Sequence, residues 1–345
     1  MVSNQDFNKI VVQDKNNKIQ TNMENFKDRI DLTDFSSKVE SLKNKIADII
    51  VGQDIAVELI LTALLADGHV LIEGVPGVAK TLLAKLTAKL IDADYSRIQF
   101  TPDLMPSDVL GTSVFNIKTA EFEFHQGPIF AELILIDEIN RAPAKTQAAL
   151  FEVMEERQIT VEGFTRKMND ICTIIATQNP IEQEGTYRLP EAQLDRFLLK
   201  ISIEYPQPEE EFTILKRHNE NKLLANLIDI QPILSKTEII SFQNLVSEVY
   251  VEDCLLNYIS EIIIATRKSP AVYLGASPRA AVALLNAAKA YALLQGRDFV
   301  IPDDIKYIAV PVLQHRLILS PETEMEGISA TAVCKRIIEK IEVPK

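Results

Sequence analysis

A lysine and a threonine stand side by side at the end of a glycine-rich stretch, GVPGVAKT, which runs from Gly74 to Thr81. The stretch follows a short apolar run, His69 to Ile72, and precedes a run with helical periodicity, Leu82 to Leu90. A strand, a glycine-rich turn and a helix in this order are typical of a phosphate-binding loop, whose backbone N–H groups surround phosphate oxygens. Lys80 is expected to reach the β- and γ-phosphates of a nucleotide, and the Thr81 hydroxyl is expected to bind Mg²⁺.

The rest of this loop and the first turn of the helix are also predicted to contact the nucleotide. These further residues are Gly74, Val75, Pro76, Gly77, Val78, Ala79 and Leu82. Ala79 stands where the usual GxxxxGK[ST] pattern has glycine. Because an added methyl group at a helix start has a small steric cost, alanine is not expected to disable the loop.

Polar residues follow two later apolar runs. LILIDE ends in Asp137 and Glu138, and ATQNP contains Asn179. Asp137 is expected to hold Mg²⁺ through water, and Glu138 to polarise the attacking water. The Asn179 amide could hydrogen-bond the γ-phosphate or that water. The alternatives are a strand end with solvated acids, and an Asn-Pro turn without a chemical role.

Two arginines are candidates for contact with phosphate. Arg196, in LPEAQLDRF, could neutralise charge on the γ-phosphoryl group, and such residues contribute roughly 10³–10⁵ in rate when supplied across an interface. The alternative is an exposed Asp195–Arg196 ion pair that contributes little. In GASPRA, helix capping explains Ser277 and Pro278 but not Arg279. Arg279 is therefore predicted to contact phosphate from a second domain.

The elements that must position these residues alternate between strand and helix. Strands are predicted over His69–Glu73, Tyr95–Phe100, Leu133–Asp137, Ile171–Thr177 and Phe197–Ile203. Several of them are nearly continuous in branched aliphatic residues, which is typical of strands covered on both faces. The pattern predicts an α/β fold with a five-stranded parallel sheet and helices on both faces.

Three regions are predicted along the chain. Residues 1–34 are polar and are expected to be flexible, residues 35–205 form the αβα core, and residues 206–345 form a small all-helical domain. Segments 111–128 and 157–170 are predicted to insert hairpins into the core; alternatively, they are surface loops without a special role.

Composition narrows the possible functions. The 345 residues carry a formal net charge of -13, which disfavours broad nucleic-acid binding. Three widely spaced cysteines indicate reduced thiols and a cytoplasmic location. No apolar run predicts a transmembrane segment, and the polar N-terminus is unlike a signal peptide.

The order of the motifs resembles AAA+ ATPases of the MoxR family. The resemblance covers residues 35 to 300 and includes VGQD, GVPGVAKT, LILIDEINRAPAKTQAALFEVMEERQ, ATQNP, EGTYRLPEAQLDRF and GASPRA. It implies that Lys80 and Thr81 are the Walker A pair, Asp137 and Glu138 the Walker B pair, Asn179 sensor 1, Arg196 the arginine finger and Arg279 sensor 2. It further implies that Val51 and Gly52 border the adenine.

The resemblance also implies how such a protein works. ATP and Mg²⁺ are expected between the subunits of a ring, usually a hexamer, that remodels or activates a client protein, including metalloenzymes. A protein with a von Willebrand factor A domain is an expected partner. Alanine at position 79 is familiar in this branch. Arg188 departs from the family pattern, so either Arg188 or Arg196 acts on the neighbouring subunit.

Three other functions remain open from the sequence. The chain could be a nucleic-acid-stimulated motor, a module that uses ATP only as an assembly switch, or a metal-chelatase-like motor subunit. The acidic balance opposes the first, and the presence of Glu138 and Arg196 opposes the second.

Overall fold

The computed structural model describes residues 30–75, 77–161, 163–179, 187, 189–220 and 230–344. Residues 1–29 of the predicted flexible segment 1–34, together with Pro76 and Arg188, lie outside these described residues, whereas Thr33 and Asp34 already belong to the first helix. Within them the helices are α1 (Thr33–Ala47), α2 (Asp54–Leu65), α3 (Lys80–Leu90), α4 (Pro106–Leu110), α5 (Ala144–Glu156), α6 (Glu191–Leu194), α7 (Pro208–Asn219), α8 (Lys236–Glu248), α9 (Asp253–Lys268), α10 (Pro278–Leu294), α11 (Pro302–Leu313), α12 (Pro321–Met325) and α13 (Ala330–Glu339). The strands are β1 (Val70–Gly74), β2 (Tyr95–Gln99), β3 (Gly111–Asn116), β4 (Glu121–Gln126), β5 (Leu133–Asp137), β6 (Gln158–Val161), β7 (Phe164–Lys167), β8 (Thr173–Gln178), β9 (Leu199–Ile203), β10 (Val272–Leu274) and β11 (Ile318–Leu319).

The main sheet contains five parallel strands in the order β2-β5-β8-β1-β9. This confirms the predicted five-stranded parallel sheet, and each strand overlaps its predicted run. Strands β5, β8 and β1 are neighbours, so the residues that follow their carboxyl ends meet at one edge of the sheet. Ligands of open α/β sheets bind at this carboxyl edge.

Side chains of the central strands point alternately into two separate cores. Ile72 and Leu135 pack with α1, α2, α3 and helices of the C-terminal region. Leu71 and Ile134 pack on the other face with α4 and α5. Both faces of the sheet are therefore covered, which explains why these strands lack the alternation of a half-exposed strand.

Two antiparallel hairpins project from the core. In the first, β3 pairs with β4 from Gly111 opposite Gln126 to Asn116 opposite Glu121. Gly111 has φ of 100°, and a Cβ there would lie 2.3 Å from the His125 carbonyl oxygen, so glycine is needed at the base of this hairpin. In the second hairpin, β6 pairs with β7.

The C-terminal region is mostly helical. Within the described residues it departs from an all-helical arrangement in a short antiparallel pair, β10 with β11, and in an isolated parallel bridge between Tyr250 and Phe299. Strands of three and two residues are too short to produce a period-two pattern in the sequence. The end of α11 docks on the core at β9, where His315 Nε2 lies 3.0 Å from the Phe197 carbonyl oxygen. No helix in the described part of the chain combines the length and apolarity needed to cross a membrane.

Candidate functional site

The loop between β1 and α3 carries the Lys80–Thr81 pair at the carboxyl edge of the sheet. Lys80 Nζ donates to the Gly74 carbonyl oxygen at 2.7 Å, so the ammonium group lies over the loop. Gly77 has φ of 88°, and Ala79 has φ of 58° and ψ of 22°. The difficulty of alanine at position 79 is therefore one of backbone conformation rather than of space, because L-residues disfavour this left-handed region.

The VGQD segment lies against this loop. Gln53 Nε2 donates to the Val78 carbonyl oxygen at 2.5 Å, which fixes the segment carrying Val51 and Gly52 beside the loop. The Gln53 Oε1 atom is buried and has no hydrogen-bond partner among the described residues. An unsatisfied buried acceptor beside a phosphate-binding loop is consistent with a ligand group that completes its hydrogen bonding.

Asp137 ends β5 and is held by two donors. Its Oδ1 accepts from Thr177 Oγ1 at 3.2 Å, and its Oδ2 accepts from Arg97 Nε at 2.7 Å. The Asp137 side chain is largely buried, whereas the Arg97 side chain is half exposed. This bond to Asp137 raises the pKa of Arg97. Arg97 thus supplies a positive charge at the carboxylate predicted to face Mg²⁺.

Glu138 follows in a strained backbone conformation, with φ of 56° and ψ of 52°. Its N–H donates to Thr177 Oγ1 at 3.1 Å, and its Oε2 accepts from Gln99 Nε2 at 2.9 Å. Arg141 Nε lies 2.9 Å from the same Oε2. Both contacts are made by Oε2, so this oxygen holds the carboxylate in place, and Oε1 takes part in neither of them.

The donor set at this edge suits Mg²⁺ bound mainly through phosphate and water. Thr81 and Asp137 supply hard oxygen ligands, and Mg²⁺ commonly takes only one or two protein ligands beside substrate phosphates. No group of three or more His, Cys, Asp or Glu that could hold a metal by itself occurs in the ranges that the structure describes. Asn179 is buried just beyond the end of β8 and lies at the same edge of the sheet. Strand β8 stands between β5, which ends at Asp137, and β1, which leads into the phosphate-binding loop.

Arg196 and Arg279 lie elsewhere. Arg196 precedes the amino end of β9, and a five-residue strand separates the two edges of the sheet by roughly 16 Å. Its Nη1 donates to the Phe151 carbonyl oxygen, and its Nη2 lies 2.7 Å from Glu155 Oε2. Arg279 Nη2 donates to Oε1 of the same carboxylate at 2.8 Å. The structure thus brings both arginines together, at the opposite edge from their own phosphate loop.

Sequence reasoning missed several residues of this arrangement. Gln99 and Arg97 reach the two acids because β2 lies beside β5, with Gln99 directly opposite Asp137. Their signal in the sequence is only that β2 is polar at alternate positions. Glu155 lies on α5, the helix that follows Asp137 and Glu138, and no motif in the sequence distinguishes it.

A phosphate loop after β1, paired acids after β5 and a buried amide after β8, followed by a helical region, define an AAA+ ATPase. Family models agree: residues 69–199 match the ATPase family associated with various cellular activities (AAA), and residues 264–337 match the AAA lid domain. The chain belongs to the MoxR family of AAA+ ATPases. It is 43% identical to the chaperone MoxR1 of Mycobacterium tuberculosis over 322 residues, covering 90% of this chain and 84% of that protein.

Two further relatives extend the comparison. The uncharacterized protein YeaC of Bacillus subtilis is 50% identical over 297 residues, which cover 86% of this chain and 92% of that protein. The crystal structure of a Cytophaga hutchinsonii protein assigned as an ATPase superposes with a TM-score of 0.84 at 38% identity, covering 95% of this chain and 99% of that one. The MoxR resemblance and the predicted fold class are confirmed.

Proposed function

We propose that this chain hydrolyses ATP in a homo-oligomeric ring, a hexamer by analogy with its class, and uses the energy to remodel or activate a client protein. The observation that carries the proposal is the division of the predicted catalytic groups between two edges of one sheet. Lys80, Asp137 and Glu138 lie at the carboxyl edge, whereas Arg196 and Arg279 lie together near the other edge. A site built from both sets needs two subunits.

In this proposal the carboxyl edge binds the nucleotide. Lys80 exchanges the Gly74 carbonyl oxygen for phosphate oxygens, while Asn179 contacts the γ-phosphate or the water beside it. Thr81, and Asp137 through water, would hold Mg²⁺, which would supply positive charge to the phosphates. Glu138, held through Oε2 by Gln99 and Arg141, orients the attacking water through Oε1.

The neighbouring subunit supplies the positive charge that completes the site. Arg196 neutralises charge that develops on the γ-phosphoryl group, and Arg279, which shares a carboxylate with Arg196, contacts the same nucleotide. This assigns Arg279 to the neighbouring subunit's nucleotide instead of its own. Hydrolysis would then change the contact between adjacent subunits and move the helical lid. We propose that this lid consists of residues 206–345.

The hairpins are proposed to contact the client. Ile117 and Phe122 on the first hairpin are 87% and 73% exposed, and Phe164 on the second is 67% exposed. Exposed aromatic and aliphatic side chains favour contact with another protein. A metalloenzyme as client, a von Willebrand factor A domain protein as partner and a cytoplasmic location are proposed from the family resemblance.

Two variants test the nucleotide site. Lys80→Ala is expected to weaken ATP binding strongly, whereas Lys85→Ala, which changes an exposed lysine on the same helix, is expected to leave binding unchanged. Glu138→Gln is expected to bind ATP without turning it over. Titration of a fluorescent ATP analogue and a steady-state phosphate-release assay measure both properties. Unchanged ATP affinity in Lys80→Ala, or normal turnover in Glu138→Gln, would remove the corresponding assignment.

A further inference from the structure

Glu155, near the carboxyl end of α5, binds two arginines at once. Its Oε2 lies 2.7 Å from Arg196 Nη2, and its Oε1 accepts a hydrogen bond from Arg279 Nη2 at 2.8 Å. Arg196 belongs to the core, and Arg279 begins α10 in the C-terminal region. One carboxylate therefore connects the two regions at the point where both carry a predicted phosphate contact. The hydrogen bond from Arg279, and then the charge of Arg196, lower the pKa of Glu155.

A second carboxylate, that of Asp195, holds the backbone next to Arg196 and Arg279. Asp195 Oδ1 accepts from Arg316 Nε at 2.6 Å, and the Arg316 side chain is only 3% exposed. Ser277 Oγ, at the amino end of α10, lies within 3.3 Å of Asp195 Oδ2. Asp195 thus fixes where the backbones of the two arginines meet. The direction of their longer side chains is set by Glu155, which contacts both, and for Arg196 also by the Phe151 carbonyl oxygen, which accepts from its Nη1.

Two guanidinium groups at one carboxylate need that negative charge, because they repel each other without it. The Arg196 and Arg279 side chains are 26% and 53% exposed, so water can reach both groups. Each guanidinium has about five N–H donors in a fixed fork, which leaves donors available after the bonds to Glu155 are made. The pair can therefore keep its carboxylate and still bind an anion.

We propose that Glu155 is a positioning residue that holds Arg196 and Arg279 side by side, so that they meet the triphosphate of the neighbouring subunit as one anion-binding unit. The inference rests on the proposed function, in which both arginines act across a subunit interface. Glu155 itself does not touch the nucleotide. It holds the two guanidinium groups side by side before they contact the nucleotide of the neighbouring subunit.

The test is Glu155→Gln, which keeps the shape of the side chain and removes its charge. A displaced catalytic group can lower turnover by about 10- to 100-fold, so we expect kcat for ATP to fall by at least 10-fold, with a smaller change in KM. Glu156→Gln, at the exposed next residue of the helix, is the matched control and should keep the parent kcat. The melting temperature of Glu155→Gln should stay close to that of the parent, since partly exposed ion pairs contribute little to stability. Normal turnover in Glu155→Gln would overturn the inference.

Mixed rings separate positioning from a general structural defect. A mixture of Glu155→Gln and Lys80→Ala subunits should hydrolyse ATP faster than the average of the two variants measured separately. The reason is that some interfaces in the mixed rings pair an intact Lys80 with an intact Glu155. Mixing Glu155→Gln with Arg196→Ala should give no such gain, since both changes damage the same half of the interface. If the first mixture gains nothing while Lys80→Ala with Arg196→Ala does, the role of Glu155 is wrong and the proposed function stands. If the mixture of Lys80→Ala with Arg196→Ala also gains no activity, the proposed site shared between subunits is wrong as well.

Discussion

Replacement of Ala79 by glycine should stabilise the protein, although glycine inside a regular helix usually destabilises it. Ala79 has φ of 58° and ψ of 22°, in the left-handed region, immediately before α3. That conformation costs an L-residue about 1–2 kcal/mol, whereas glycine adopts it freely. The greater freedom of glycine in the unfolded chain removes about 0.4–1 kcal/mol of the gain. The expected net effect of Ala79→Gly is therefore an increase of about 1 kcal/mol in the free energy of unfolding.

Gly77→Ala is the matched opposite change. Gly77 has φ of 88°, and an added Cβ would meet nothing within 4 Å, so its penalty comes from backbone conformation alone. We expect a loss of about 1 kcal/mol. Urea denaturation of the nucleotide-free variants, followed by circular dichroism, measures both effects as opposite shifts of the midpoint at equal slope. A loss of stability in Ala79→Gly, of the ~0.5–1 kcal/mol typical of glycine in a regular helix, would refute the left-handed conformation of residue 79.

Two further predictions concern charges in the core. Burial lowers the pKa of His69 to about 3, so between pH 6.5 and 3 only the unfolded state takes up this proton, and stability is lost as the pH falls. His69→Gln should remove up to ~1.4 kcal/mol per pH unit from the slope of unfolding free energy in this range, and an unchanged slope would contradict the assignment. Asp195→Asn leaves the buried guanidinium of Arg316 without its counter-charge and should lose about 3–5 kcal/mol. Asp303→Asn, at an exposed ion pair, should lose under ~1 kcal/mol, and similar losses in the two variants would argue against a buried pair at Asp195.

The main sheet could be predicted because its central strands β1, β5 and β8 are buried on both faces. Such strands are continuous apolar runs, and the runs at residues 133–137 and 171–177 are separated by a helix and a hairpin that have their own patterns. The order of these central strands could not be predicted, because burial on both faces makes them alike in composition. The pair β10–β11 was missed because it is too short to show a period.

The site residues at the carboxyl edge of the sheet could also be predicted from the sequence. A functional side chain that directly follows a strand has its position fixed by that strand, as for Asp137 and Glu138. The contacts of Gln99 and Glu155 depend instead on which strands are neighbours and on how the C-terminal helices dock. No local pattern encodes either property. The left-handed backbone at Ala79 was likewise hidden, since alanine gives no sign of positive φ.

The central claim is that each nucleotide site is completed by arginine from the next subunit. Lys80→Ala and Arg196→Ala should each abolish ATP turnover alone, because every interface of a uniform ring lacks one half. In an equal random mixture about a quarter of the interfaces combine both intact halves, so phosphate release should return to a measurable fraction of the parent rate. Mixed rings that form normally by size-exclusion chromatography and mass spectrometry, yet release no phosphate, would contradict the account.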